Sequence, residues 1–495
     1  MSSERGPTET PAHFAGGRFC PLTDKEAADI TSMALDILAR VGMAAAPDWL
    51  ERALVEAGAY SREDGRLTFA REQVMDAVAR AAKKIELPGF NHTQGLQIGG
   101  GRVHLGTGGA AVQVLDPESL TYRDSKLDDL YALMRVVEAS ANIHYGVRPV
   151  VARDMPSPLD LDINTAFACV KATAKPIGVS FDSAGHLAPV VGLFDRALGG
   201  EGRFRRQPFC MAIIVHAVSP LRYAPEGVEI MRAAIEAGMP LQICTAAQAG
   251  ATSPASLAGA LAQGLAESLA GLMVVDALRP RHPCIFAFMP FISDLRTGAM
   301  SGGGGESAVA NAAAAQLLRQ LELPSTVSAG MTDSKVADVQ AGYEKGYSVA
   351  LSSQAGADMI NLSMGMLGSI MVASPEAMVI DNDMCGAILR TVRGIEVSDD
   401  LLDLEMVERV ATGEGHYLGE GQTLALMKSE YVYPQLGDRR SVDDWTDAGR
   451  PSIWDEAQVR VQDILVEVPS HLPKTVEADI RQRFQIYLPE TGLAP

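Results

Sequence analysis

Short apolar runs alternate with stretches of helical length through the middle of this chain, and that alternation limits the fold more than any other feature. The apolar runs fall at 145–151, 177–181, 211–218, 241–246, 284–291, 326–329 and 359–364. Between them lie amphipathic or Ala-rich segments at 164–173, 187–198, 225–237, 254–278, 306–321 and 338–355. Many of these open at Ser-Pro, Ala-Pro or Gly-Glu and end near Gly, as helix caps do. A strand that returns to a parallel neighbour needs a crossover, and a helix commonly provides it. Counting 110–115 as a further strand gives eight, the number that closes a (β/α)8 barrel. Without it an open doubly wound sheet is the alternative. The expected fold is α/β, a (β/α)8 TIM-type barrel over residues 96–390.

Both ends read as helical extensions. Over residues 1–95, Thr23 and Glu26 make a capping box, followed by Ala28, Ile30, Met33, Ile37 and Leu38 near helical spacing until Gly42. Two more helices are expected at 49–57 and 71–83, with Gly58 and Pro88 as stops. Alternation at 102–105 then switches the period to strand. Beyond residue 390 the pattern is helical again, broken by a turn-rich stretch at 434–451, so 391–495 is expected to pack on the barrel as a C-terminal extension.

Composition narrows the partners. Hydrophobic residues at 47% allow packed cores throughout, and a net charge of −19 repels phosphate backbones and anionic lipid. Nucleic acid and membrane surfaces are therefore not expected partners, whereas a small cation or a basic protein face fits. No apolar run is expected to approach the ~18 residues a membrane span needs, and residues 1–17 lack the apolar core of a signal peptide. The six cysteines show no CxxC or metal-ligand spacing. Buried free thiols in a reducing compartment are the natural expectation, which places the protein in the cytoplasm.

In such barrels chemistry collects at the C-terminal strand ends. The residues there are Arg148, Asp182, His216, Gln248, Asp294 with Arg296, Asp333 with Lys335, and Gly365. The segment from Gly330 to Gln340 is the most informative. It delivers Asp333 and Lys335, then opens a helix carrying Tyr343 and Glu344. A capped helix with a surface ion pair is one reading; a carboxylate at the rim facing a positive ligand is the other. Gly302–Gly305 lacks the Gly-Lys-Ser/Thr ending of a P-loop. It is either a lid or linker, or a bare helix start whose backbone donors, at Gly304 and Gly305, could hold a carboxylate. Aromatics are scarce, at 5%. Phe286, Phe288 and Phe291 lie on or beside one strand, and Tyr343 and Tyr347 share a helix face. They are either ordinary core or ring faces for a quaternary ammonium.

Several stretches resemble the trimethylamine methyltransferase (MttB-like) superfamily. They are 34–42 (ALDILARVG), 332–344 (TDSKVADVQAGYE), 415–419 (GHYLG), 431–434 (YVYP) and 437–439 (GDR). The resemblance implies a barrel that moves a methyl group from a methylated amine to the cobalt of a separate corrinoid protein. Cobalamin would thus arrive on that partner, with no cofactor or metal bound in this chain. The trimethylamine enzymes carry pyrrolysine, and this sequence holds standard residues alone. In that respect it is similar to glycine betaine methyltransferases, whose quaternary substrates need no electrophilic side chain. The expected activity is demethylation of a glycine-betaine-like amine. The expected catalytic contributors are Asp333, Glu344 and His416. Substrate contacts are expected from Phe286, Phe288 and Tyr343 around the cation, with Lys335, Gly304 or Gly305 at a carboxylate. A homo-oligomer is compatible. The alternatives are a non-catalytic quaternary-amine binder of the same fold, or a barrel lyase forming a Schiff base on Lys335.

The acidic balance yields a kinetic expectation. Stopped-flow association with a corrinoid protein should slow as salt rises, because complementary charge steers the encounter. A rate flat from low to high salt would remove charge steering.

Overall fold

The computed structural model describes residues 15–91, 95–413, 415–467 and 470–490. Of residues 1–17, which lack the apolar core of a signal peptide, 1–14 lie outside the described residues. At the centre, eight parallel strands stand side by side in chain order: β1 His104–Leu105, β2 Gly146–Val147, β3 Ile177–Val179, β4 Cys210–Val215, β5 Leu241–Thr245, β6 Cys284–Phe288, β7 Ser325–Ser328 and β8 Met359–Asn361. β8 pairs back onto β1, and a parallel bridge from Gly106 to Tyr145 joins β1 to β2. The sheet is thus a closed barrel.

A helix follows every strand: α1 Leu127–Ala139, α2 Pro158–Ala172, α3 Leu187–Ala197, α4 Pro225–Ala237, α5 Leu257–Leu278, α6 Gly305–Gln320, α7 Val339–Ala355 and α8 Pro375–Arg393. Local chemistry fixes their ends. Ser157 and Ser374 accept the amides of Asp160 and Ala377, each ahead of a proline at the first helical position. Gly238 and Gly356 end α4 and α7 in the left-handed region.

The eighth strand is not where the sequence pattern put it. Residues 110–115 contribute Gln113–Leu115 to a four-stranded sheet with Tyr122–Asp124, Val372–Ala373 and Met366–Leu367, outside the barrel. The barrel strand is the short His104–Leu105 just before it. Two residues suffice there because Leu105 is fully buried and its amide also donates to His144 Nδ1 at 3.0 Å.

Tyr145, Met211, Ile285 and Met359 fill the barrel interior together with Ile85, Leu87, Leu96 and Ile98. The last four belong to the hairpin Ile85–Leu87/Leu96–Ile98, which plugs the barrel from below. The helices Asp24–Arg40, Asp48–Glu56 and Arg71–Arg80, the first with the expected capping box, lie against α5. That cover explains α5 itself. Contrary to expectation, its 22 residues are apolar enough to cross a membrane by length and composition, yet 89% of its most apolar stretch is buried in protein. A helix apolar all round is one with no free face. Of the six cysteines, five are buried as expected and Cys20 is exposed.

The C-terminal helices Ile453–Glu467 and Lys474–Arg483 pack on α8 and α1, and on α3. One polar knot ties this extension down. Glu138, at the end of α1, accepts from Thr173 Oγ1 at 2.7 Å and from the Ala174 amide at 3.0 Å. His471 Nε2 lies 3.2 Å from its other oxygen, close enough for an ion pair though poorly aligned for a hydrogen bond. Burial pushes the Glu138 carboxyl up, but His471, Thr173 and the charge of Lys175 outweigh it and bring it down to about 2. A carboxyl held below its unfolded value stabilises the fold above that value and loses the contribution as pH falls through the folded one. Urea melts should therefore show wild type above Glu138→Gln by about 3 kcal/mol near neutrality, a gap that closes towards about pH 2. A gap that stays constant with pH would remove this carboxylate as its source.

Candidate active site at the barrel mouth

Because the plug fills the lower barrel, open space remains at the C-terminal strand ends. A cavity of about 590 Å³ lies there, lined from the ends of every strand but β7. Its walls are mostly apolar: Phe181 beyond β3, Ile213 and Val215 on β4, Met289 and Phe291 beyond β6, and Leu362 beyond β8. Phe181 and Met289 are each 9% exposed. Phe291 opens the strand Phe291–Ser293, which pairs with Gln248–Ala249 and Met300–Ser301 above the barrel. Polar groups on the walls are few. Asp182 and Glu226 are exposed carboxylates, and Arg148 and Asn361 close the list of charged or amide groups. Asn361 is anchored from within the barrel, where the Tyr145 hydroxyl donates to its Oδ1 at 2.7 Å.

Asp333 and Glu344 come together beside this cavity, in a different task from the one the pattern suggested. Gly330 turns the chain after β7 at φ +98°, where a Cβ would strike the Ser363 backbone at 2.5 Å. Asp333 then accepts from Ser301 Oγ at 2.7 Å, the Gly302 amide at 2.8 Å and Ser369 Oγ at 2.6 Å. Burial pushes its carboxyl up, yet these donors together hold it below the ordinary carboxylate value. Glu344, buried on α7, accepts from Thr332 Oγ1 at 2.5 Å, the Asp333 amide at 2.8 Å and Gln340 Nε2 at 2.9 Å. Its carboxylate lies against Gly303, where a Cβ would meet it at 2.2 Å, and the Tyr347 hydroxyl donates to the Gly303 carbonyl. Asp333 thus clasps the Gly302–Gly305 loop at the start of α6, and Glu344 packs against it.

The other expected site residues are dispersed. Phe286 and Phe288 are 1% exposed and face the helix layer, Phe286 near Leu272 and Val275, Phe288 against Gly264. Ile285, Ala287 and Met289 take the inward face of that strand instead. The ring faces of the mouth are therefore Phe181 and Phe291, and Phe286 and Phe288 are corrected to outer core. Tyr343 is 55% exposed and stacks on Tyr347 with centroids 6.4 Å apart. Lys335 is exposed, its Nζ donating to the Asp333 carbonyl at 2.5 Å. Gly304 caps α6 and Gly305 opens it, both outside the cavity lining. His416 is exposed in a segment that is fastened by Glu430 to Arg390 and Arg393, in the last turn of α8. That turn lies at the barrel end opposite the mouth, and no cavity-lining residue comes from this segment. Of the remaining strand-end residues, His216 is buried against the Glu267 carbonyl, and Asp294 pairs with Arg296 at 2.7 Å. Among the described residues, no group of three or more His, Cys, Asp or Glu could hold a metal ion.

The clasp makes a specific claim. Asp333→Ala leaves two hydroxyls and the Gly302 amide without their acceptor, at a cost of about 1–3 kcal/mol. Hydrogen exchange should speed up selectively at Gly302 and Gly303, while amides of the barrel strands keep their protection. Unchanged exchange at these glycines would show that Asp333 does not hold the loop.

A family profile described as trimethylamine methyltransferase (MTTB) matches residues 8–487. The glycine betaine methyltransferase of Desulfitobacterium hafniense (strain Y51) is 27% identical over 431 residues, spanning 87% of this chain and 88% of that protein. Trimethylamine methyltransferase MttB of Desulfitobacterium hafniense (strain DSM 10664 / DCB-2) is 28% identical, covering 85% of this chain and 84% of its own length. Trimethylamine methyltransferase MttB2 of Methanosarcina mazei is 30% identical, covering 79% and 78%. With a match that runs through both extensions as well as the barrel, this chain belongs to the trimethylamine methyltransferase (MTTB) family.

Proposed function

We propose that the chain removes a methyl group from a glycine-betaine-like quaternary amine and passes it to the Co(I) of a separate corrinoid protein. The observation that carries this reading is the composition of the mouth: the rings of Phe181 and Phe291 and the soft side chain of Met289, with Asp182 and Glu226 among the lining residues. Ring faces attract a quaternary ammonium through their quadrupole, and carboxylates add a favourable field without a proton to exchange. The corrinoid supplies the nucleophile. As the new bond to the methyl carbon forms, the C–N bond breaks and its electron pair stays on nitrogen, so the amine departs neutral. The positive charge therefore disperses during transfer, and an apolar wall favours that change.

The chain's own work is to orient the methyl towards the open end, keep water from the reacting carbon and hold the ammonium still. No residue need supply or accept a proton, which agrees with a cavity lined by few titratable groups. Asp333 contributes by holding the glycine loop beside the mouth and Glu344 by packing against it, and so both act as positioning residues.

The full chain should therefore convert glycine betaine and a reduced corrinoid protein to dimethylglycine and methyl-Co(III), followed by absorbance and mass spectrometry. Phe291→Ala should raise the KM for the amine about 2- to 30-fold, the range expected for one ring face. Tight binding of glycine betaine with no methylated corrinoid would make the protein a binder instead, and failure to bind any quaternary amine would end the proposal.

A further inference from the structure

Among the described residues lining the cavity, Arg148 is the one basic side chain. It follows β2, its backbone amide held by the Gly178 carbonyl at 3.1 Å, and its Nε is buried without a hydrogen bond. Asp162 acts on it through space, and one oxygen of that carboxylate is committed elsewhere. Its Oδ2 meets the Asp182 amide at 2.9 Å and His186 Nδ1 at 2.7 Å. An arginine stays charged at any physiological pH, and a charge withdrawn from water calls for a counter-charge. A planar fork of donors opening on a largely apolar cavity is matched by two carboxylate oxygens, better than by any single-atom anion.

We propose that Arg148 binds the carboxylate of the substrate, so that the quaternary amine taken here is a zwitterion with its carboxylate a short distance from nitrogen. The inference rests on the quaternary-amine reading and adds its second pole. Phe181 and Asp182 lie past the end of β3, the strand beside β2, with Glu226 and Phe291 elsewhere on the same cavity, so both poles of one small molecule find partners. Lys335 and the start of α6, which the sequence pattern offered for this carboxylate, lie outside the cavity lining.

Calorimetry on the full chain with three probes tests it: glycine betaine, choline (cation alone) and 3,3-dimethylbutanoate (carboxylate alone, same shape). Wild type should bind glycine betaine at least about tenfold more tightly than choline. Arg148→Gln should weaken glycine betaine by about 10- to 100-fold, abolish 3,3-dimethylbutanoate binding and leave choline within about twofold. Arg148→Lys keeps the charge and loses the fork, and should recover part of the preference; it also serves if the Gln variant does not fold. Should choline fail while 3,3-dimethylbutanoate binds in an Arg148-dependent way, the carboxylate receptor stands and the amine reading falls. Equal affinity of wild type for choline and glycine betaine, or a preference that survives Arg148→Gln, overturns the role of Arg148.

Discussion

The barrel depends on a narrow seam. Strands β1 and β2 are two residues each, and closure rests on the bridge between Gly106 and Tyr145. A Cβ at Gly106 would stand 2.3 Å from the Tyr145 ring, so the ring can lie across the seam because that residue is glycine. The same tyrosine reaches over to Asn361 at the end of β8 and so ties three successive staves together. Three residues further on is Arg148. The cavity wall that carries the Arg148 cation is therefore set by the contact that shuts the barrel, and the two cannot vary independently.

Much of the architecture was legible because strand and helix differ in period and in caps. The N-terminal capping box, the Pro-started helix α4, and seven of the eight strands stand where apolar runs and turn residues place them. The first strand was misplaced for a physical reason. Alternation at 102–105 does read as strand, but it is brief, and the longer neighbouring run, 110–115, carries a sheet signal that is real but serves another sheet.

The site was less legible, and the Phe286–Met289 stretch shows why. Parallel strands are covered on both faces, so inward and outward residues are both apolar and alternation carries no label for the interior. Phe286 and Phe288 have the chemistry of a cage and the facing of outer core; Met289, one residue on, faces the cavity. Asp333 and Glu344 illustrate a related limit. A carboxylate near a mouth reads as a cation partner until its acceptor capacity is counted. Here serine hydroxyls and backbone amides occupy much of it. Arg148 was visible as a strand-end residue, but nothing in the sequence shows that Oδ2 of its neighbour Asp162 is engaged by Asp182 and His186.

The cover over α5 bears on what counts as the smallest autonomous unit of this protein. The outer surface of that helix has no polar stripe and meets the N-terminal helices rather than solvent. Excision of the central α/β portion would lay bare an oily band as long as a bilayer is thick, inviting clumping or misrouting. The leading helices are thus a permanent cover for that band, and the barrel and its N-terminal extension form one unit.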